Sequence, residues 1–379
     1  MKKVLVALSG GVDSAVAAYL LKEQGYQVSC AFMRNWDSVA NHDLLGNPIG
    51  IDEICPQEVD YNDAKRVSQQ LGCELFRVDF VQEYWQDVFA VFIEETKKGR
   101  TPNPDILCNK HIKFAAFYDY ALKQGFEWVA TGHYASVDHS VSPARLKRGK
   151  DNLKDQSYFL VQVPQSALQR TIFPLGDLTK EEVRDIAKKQ NFYIAEKKDS
   201  TGICFIGERH FREFLHNYIP KEPGEIIDID SRKTIGQHHG VMFYTIGQRK
   251  GLGIGGTLGP WFVVGKDEKK NRLYVGAGFD NPWLFSDGCI VERMNWFDKL
   301  QDKPIHCTAK FRYRQKDNPV IIEHQHQQLI VKYPQKISSV TVGQEAVFYQ
   351  NDLVLGGGVI AQVTHQGFTF LQRLERGTP

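Results

Sequence analysis

Cysteine is scarce in this chain: there are seven in 379 residues, and no two form a CxxC pair. So sparse and odd a count excludes a disulfide-stapled secreted domain. It also removes the usual footing of zinc ribbons, thioredoxin-like motifs and simple iron–sulfur nests. Charge of one sign is lacking too. Lys plus Arg number 47 against 45 Asp plus Glu, a net of +2, so any basic surface must be local. Long apolar runs are missing. The longest after the N-terminus, Val88 to Ile93, is far short of the roughly 20 residues of a membrane helix. Met1-Lys2-Lys3 and VLVAL resemble the start of a signal peptide, but the run stops at Ser9-Gly10-Gly11, and Asp13 sits where an h-region continues. There is no internal repeat and no low-complexity tract. The chain reads as soluble and cytoplasmic, without a membrane segment. No metal site is read from it either: His238-His239 and His324-x-His326 lack Cys or carboxylate partners at ligand spacing.

What is present is ordinary globular composition, 42% hydrophobic and 24% charged, with length for two or three domains. The first half alternates apolar strands (Lys3–Leu8, Tyr26–Met33, Glu74–Phe80, Phe126–Thr131) with amphipathic helices (Ala15–Gln24, Glu58–Leu71, Gln82–Lys98, Lys110–Gln124). Such alternation predicts an α/β domain whose parallel sheet carries helices on both faces, with ligands beyond the carboxyl ends of the strands. A Gly-rich stretch from Gly236 to Gly278 shows little helical periodicity. Short alternating strands then follow, including His306–Gln315, Val320–Glu323, Leu329–Tyr333 and Ala346–Tyr349, and predict a small β-barrel or sandwich. The expected division is a catalytic domain over 1–208, a small central connector over 209–281 and a C-terminal β-barrel over 282–379.

The string Ser9-Gly10-Gly11-Val12-Asp13-Ser14 stands between the first strand and the first helix. Two glycines allow a tight turn whose N–H groups converge on an anion, the hydroxyls add donors, and the helix presents its positive end. It is no Walker A loop, because GxxxxGK[ST] does not occur. Taken alone, a glycine-rich β–α turn with a Ser/Asp cap fits as well. Gly251 to Gly256 formally matches GxGxxG, but no clear strand precedes it and no helix follows, so it is not read as a dinucleotide site.

Two cysteines have unusual settings. Cys108 follows the rigid polar loop Thr101-Pro102-Asn103-Pro104-Asp105 and precedes Lys110, His111 and an expected helix start; Cys204 lies in the polar segment Asp199 to Gly207. A thiol needs cationic neighbours or a helix N-terminus to be reactive near neutrality. For either cysteine alone, a buried inert thiol remains the ordinary reading. It is also the reading for Cys30, Cys73, Cys289 and Cys307, and Cys55 has no evident partner.

Several strings occur in order: SGGVDS (9–14), FMRNW (32–36), GRTPNPDILCNKHIKF (99–114), ATGHYA (130–135), LKDQSYFL (153–160), DSTGICFIGERHFREFL (199–215) and TIGQRKGLGIGG (245–256). The first resembles the pyrophosphate loop of N-type ATP pyrophosphatases. Together they resemble the bacterial tRNA-specific 2-thiouridylase family over essentially the whole chain. The cysteine strings and KDQSYFL are far more specific than the phosphate loop.

The resemblance implies an ATP-dependent tRNA sulfurtransferase that replaces the C2 oxygen of a wobble uridine with sulfur. Ala7, Leu8, Ser9, Gly10, Gly11, Val12, Asp13, Ser14, Met33 and Gly132 would hold ATP; Mg2+ is expected with it, without readable ligands. Asn103, Pro104 and Asp105 would meet a flipped-out uridine. His133, Lys154, Asp155, Gln156, Arg312, Tyr313 and Gln344 would contact tRNA, and Asp105 is counted with the catalytic residues. Cys204 would carry a persulfide received from a sulfur-relay protein or a cysteine desulfurase, and Cys108 would attack it, leaving sulfide or a Cys108–Cys204 disulfide. Such a bond needs the two Cα atoms within about 7 Å. Two basic surfaces are expected: Lys147, Arg148, Lys150 and Lys154 in one cluster, and Lys310, Arg312 and Arg314 along one strand face. Two other classes share some of these features: an ATP pyrophosphatase that amidates a metabolite, and a non-catalytic RNA-binding module. Neither explains the two cysteines.

Overall fold

The structure, a computed structural model, describes residues 2–43, 45, 56–199, 206, 211–255, 259–297, 304–325 and 328–379. Strand β1 (Lys3–Ala7) is central in a wholly parallel sheet with β2 (Gln27–Arg34), β3 (Leu75–Asp79), β4 (Trp128–Ala130) and β7 (Thr171–Ile172), in the order β3-β2-β1-β4-β7. Its residues are apolar without alternation because both faces are covered. Val4 and Val6 pack with Ala15 and Ala18 of helix Val12–Glu23, with Ala64 and Val67, and with Val183 and Ala187. Leu5 and Ala7 face the opposite core, with Val88, Phe92, Ile112 and Phe117. The period of two thus sends successive side chains of one strand into two separate cores.

The helix expected from Lys110 starts earlier, at Pro104. Asn103 accepts hydrogen bonds from the N–H groups of Asp105 (3.1 Å) and Ile106 (3.4 Å), and Pro104 fills the first helical position, a combination that nucleates the first turn. The helical path then runs through a π segment (Asn109–Ala116) into Phe117–Lys123. A hairpin of β5 (Ala135–Asp138) and β6 (Arg145–Arg148), and a helix Lys180–Lys189 with a Thr179/Glu182 capping box, complete this part.

The Gly-rich stretch carries strand at its two ends, within a sheet that begins before it. β8 (Gly224–Asp228), β9 (Thr234–His238), β10 (Trp261–Asp267) and β11 (Arg272–Ala277) pair in the order β10-β11-β8-β9 and bury Ile226, Val263, Leu273 and Val275. β12 (Phe285–Trp296), β13 (Ile305–Lys310), β14 (Asn318–Gln325), β15 (Gln328–Ser338), β16 (Glu345–Gln350) and β17 (Leu353–Thr364) form a barrel closed by β12–β17 pairing, which leaves it no free edge. β13 ends at Lys310, five residues before the end expected from alternation. Phe311 N–H donates to Oε1 of Gln315 at 2.8 Å and Gln315 N–H to the carbonyl of Arg312 at 3.1 Å, so the chain turns there, and Lys310, Arg312 and Arg314 do not share a strand face. β17 also pairs with β6 through Leu353 and Lys147, joining the barrel to the hairpin that follows the parallel sheet's β4.

Candidate functional site

The phosphate loop leaves the carboxyl end of β1. Gly10 has φ +77°, and a Cβ there would lie 2.2 Å from the Asp60 carbonyl oxygen, so glycine is required. Ser14 Oγ receives the Ser9 N–H at 3.1 Å, donates to the Gly11 carbonyl at 3.0 Å and lies 3.1 Å from Ser9 Oγ. Among the described residues no side chain caps helix Val12–Glu23, and its first N–H groups face the turn as donors for an anion. Gly132 forms the opposite wall: a Cβ on it would come within 2.8 Å of Asp13 C and Ser14 N. Ala7, Leu8, Val12 and Met33 are buried behind the loop.

A ring of charges surrounds this cradle. Lys180 Nζ lies 2.7 Å from Asp13 Oδ1 and 2.7 Å from Asp199 Oδ1. The Tyr134 hydroxyl donates to Asp13 Oδ1 at 2.8 Å. Lys197 Nζ donates to the Gly10 carbonyl (3.2 Å) and pairs with Asp60 (2.7 Å) and Asp63 (2.6 Å). Lys154 (2.8 Å) and Arg184 (3.0 Å) also reach Asp199. Burial alone would raise the Asp199 carboxyl, but hydrogen bonds from Lys154 and Lys180 outweigh it and hold it at about 2. Sequence reasoning missed Lys180, Lys197 and Asp60, which have no motif of their own. Tyr134 and Asp199 lay within ATGHYA and DSTGICFIG and were not singled out.

The second cluster is the loop before Cys108. Thr101 N–H donates to the Val342 carbonyl at 2.9 Å, and Gln344 Nε2 donates to the Thr101 carbonyl at 2.6 Å, so the barrel clamps the strand of chain that carries Asn103, Pro104 and Asp105. Cys108 is fully buried, in the core that holds Ile112 and Phe214. Cys204 and Cys55 lie outside the described residues, but Ile206, two positions after Cys204, is buried in the same core as Cys108. Burial lowers the affinity of the Lys110 ammonium and the His111 imidazole for protons, so His111 is mainly neutral at pH 7 and does not supply the cation expected from the sequence. Glu345, at the start of β16, is buried, and its Oε2 has no hydrogen-bond partner among the described residues. Burial pushes its carboxyl up to about 8, against the pull of Arg293 and Lys110.

The remaining residues assigned to tRNA are placed as follows. His133 is buried, its Nδ1 2.6 Å from Thr131 Oγ1, and burial holds its proton affinity well below the usual range. Asp155 is buried and accepts from the N–H groups of Gly149 and Ser157, both at 3.1 Å. Gln156 Oε1 accepts the Tyr134 N–H at 3.0 Å. Arg312 donates to the Ile246 carbonyl and to Thr341 Oγ1, linking the central and C-terminal parts beside the clamp. The Tyr313 ring centroid lies 4.4 Å from that of Phe159. In the expected basic cluster, Arg148 pairs with Asp317 (2.7 Å) and Lys150 with Glu182 (3.1 Å), so much of its charge is locally compensated. Among the described residues, no three His, Cys, Asp or Glu side chains form a metal-binding group, and no helix is long and apolar enough to cross a membrane.

A parallel-sheet nucleotide-binding domain of the HUP class, followed by two β domains, defines the architecture. Residues 2–208 match the family described as "tRNA methyl transferase HUP domain", 212–277 the "tRNA methyl transferase PRC-barrel domain", and 286–360 the "Aminomethyltransferase beta-barrel domain". The chain is 54% identical over 373 residues to a protein of Mycoplasma mycoides named tRNA-specific 2-thiouridylase MnmA, with 96% of this chain and 99% of that one covered. It is 50% identical to tRNA-specific 2-thiouridylase MnmA 1 of Geobacillus kaustophilus (96% of this chain, 96% of that one). Identity to the Staphylococcus aureus protein named tRNA-specific 2-thiouridylase MnmA is 48%, over 95% of each chain. The chain belongs to the tRNA-specific 2-thiouridylase family and is a tRNA sulfurtransferase.

Proposed function

We propose that the enzyme activates the C2 oxygen of the wobble uridine of tRNA with ATP, releasing pyrophosphate, and that sulfur carried on Cys204 then displaces AMP. The cradle between Gly10 and Gly132 carries this reading. Its glycine backbone, the Ser9 and Ser14 hydroxyls, and the ammonium groups of Lys180 and Lys197 suit a polyphosphate. Mg2+ accompanies ATP in this proposal, with no protein ligand assigned.

The uridine C2 oxygen is a poor leaving group, and adenylation converts it to AMP. Asn103, Pro104 and Asp105 would meet the extruded base on the loop clamped by Gln344. His133, Lys154, Asp155, Gln156, Arg312 and Tyr313 would line the approach of the tRNA, several of them by fixing backbone rather than by direct contact. A donor bearing a persulfide, a relay protein or a cysteine desulfurase, transfers its outer sulfur to the Cys204 thiolate and recovers its own thiol. The terminal sulfur of the Cys204 persulfide attacks C2 and AMP departs. The Cys108 thiolate then attacks the Cys204 sulfur, the bond to the transferred sulfur breaks, and 2-thiouridine leaves beside a Cys108–Cys204 disulfide. An external thiol reductant restores both thiols. Burial of Ile206 in the core of Cys108 supports the meeting of the two cysteines. The domain limits 1–208, 209–281 and 282–379 belong to the same proposal.

The test is the variant Cys204→Ser. It is expected to retain tRNA-dependent pyrophosphate release and to form no 2-thiouridine. Full thiolation by this variant with the persulfide donor overturns the assignment.

A further inference from the structure

Cys30 and Cys73 read as inert thiols in the sequence, and neither has a role in the reaction described above. The fold brings them together. Cys30 lies in β2, and its N–H donates to the Glu74 carbonyl at 2.8 Å, so the chain at Cys73 passes directly beside it. Leu75 is the register partner of Cys30 in the parallel pair β2–β3, and both Cys73 and Leu75 pack on the core that contains Cys30. The thiols meet there: a hydrogen bond between them is the strongest influence on the proton of each.

The two sulfurs are unequal. Cys30 is fully buried, whereas Cys73 is half-buried just past helix Pro56–Leu71, within reach of a small reagent from solvent. The Lys22 ammonium donates to the Leu71 carbonyl and lies 3.7 Å from where a Cβ on Gly72 would stand, which puts a cation beside Cys73. The hydrogen bond from Cys30 and the charge of Lys22 outweigh burial and bring the Cys73 thiol down to about 7. The Cys73 sulfur and burial together hold the Cys30 thiol well above its usual range. Cys307 is half-buried too, but there burial alone pushes the thiol up to about 12. Reactivity toward oxidants follows thiolate character and access, and Cys73 has both. The pair also stands apart from the sulfur chemistry. Cys30 belongs to the core shared with helix Val12–Glu23 and Cys108 to the core on the other face of the sheet.

We propose that Cys73 and Cys30 form a second dithiol site that reacts with peroxide, with Cys73 as the nucleophile and Cys30 as the resolving thiol. The Cys73 thiolate attacks one oxygen of hydrogen peroxide, the O–O bond breaks and hydroxide leaves, so Cys73 becomes a sulfenic acid. The negative charge that held the proton on Cys30 is consumed in this step. Cys30 then gives up its proton and attacks the Cys73 sulfur. The S–S bond forms, the S–O bond breaks, and the departing hydroxide takes the proton as water. One peroxide is reduced to two waters and two thiols are oxidised to one disulfide, which ties β2 to the segment entering β3.

Peptide mass spectrometry of the full-length protein tests this, after reduction, removal of the reductant and treatment with hydrogen peroxide near neutral pH. A Cys30–Cys73 cross-linked peptide is expected, and Cys73 is expected to be consumed about tenfold faster than Cys307 or more. Dithiothreitol is expected to return both thiols. Cys30→Ser is expected to stop at the sulfenic acid, which dimedone traps on Cys73, and Cys73→Ser to leave Cys30 a free thiol. If Cys30→Ser fails to fold by circular dichroism, the cross-link and the relative rates in the parent decide. Consumption of Cys73 no faster than that of Cys307, or oxidation of Cys73 in the parent without a cross-link to Cys30, overturns the proposal.

Discussion

The ammonium of Lys180 lies 2.7 Å from Oδ1 of Asp13, so a helix remote in sequence charges the phosphate loop. The same ammonium reaches Asp199, at the head of the segment that contains Cys204. Phosphate oxygens entering the cradle compete with Asp13 for Lys180. This geometry links the proposed phosphate cradle to the start of the segment that contains Cys204 through one side chain.

Lys180→Met is expected to lower the rate of tRNA-dependent pyrophosphate release by about 100-fold, the usual scale for losing one positioned electrostatic donor. Lys180→Arg is expected to recover part of it. A pyrophosphate assay under saturating tRNA reads both, and an unchanged rate in the Met variant removes Lys180 from the phosphate site.

Gly132→Ala places a methyl group 2.8 Å from the backbone of Asp13 and Ser14. The loop must shift to admit it, and ATP affinity is expected to fall at least tenfold while the melting temperature changes little. Equilibrium binding of ATP checks this; parent affinity would show that the loop tolerates the displacement.

Asn103→Ala removes the cap of the helix that bears Cys108. A loss of about 1 kcal/mol in urea denaturation is expected, together with loss of thiolation, because the loop that would meet the base is no longer fixed. Asn103→Ser, which keeps a capping oxygen, is expected to recover stability but not full activity.

Glu345 predicts a pH dependence of stability. Its folded carboxyl titrates at about 8 and its ordinary value is 4.5, so between these limits the native state holds a proton that the unfolded chain has released. Stability contributed by this group is present at low pH and is lost as pH rises toward 8, with a slope of at most about 1.4 kcal/mol per pH unit. Glu345→Gln is expected to remove that slope, which denaturant midpoints measured from pH 5 to pH 9 would reveal. An unchanged slope would place the titration elsewhere.

Much of this was legible in the chain itself. The unbroken apolar character of Val4 to Leu8, the SGGVDS turn and the alternation of strand and helix are local signals, and they position the parallel sheet and the glycine turn after its first strand. The short alternating runs near the C-terminus likewise announce the barrel. Asn103-Pro104 carried a helix start that the reading placed at Lys110, because the cap was hidden inside a proline-rich loop. The strands between Gly224 and Ala277 were obscured by glycines that leave alternation patchy. Lys180 and Lys197 were not legible at all: Asp13 lies 167 positions from Lys180, and Asp60 and Asp63 lie 137 and 134 from Lys197, so these pairs are made only through the fold. The same holds for Arg148 and Lys150, whose carboxylate partners no local pattern announces.

The central claim is that Cys108 and Cys204 act as a pair. Peptide mass spectrometry after a single turnover with ATP, tRNA and the persulfide donor, without added reductant, tests it most directly. A Cys108–Cys204 cross-linked peptide is expected in proportion to the 2-thiouridine formed. If 2-thiouridine accumulates under these conditions while both cysteines remain free thiols, the account is contradicted.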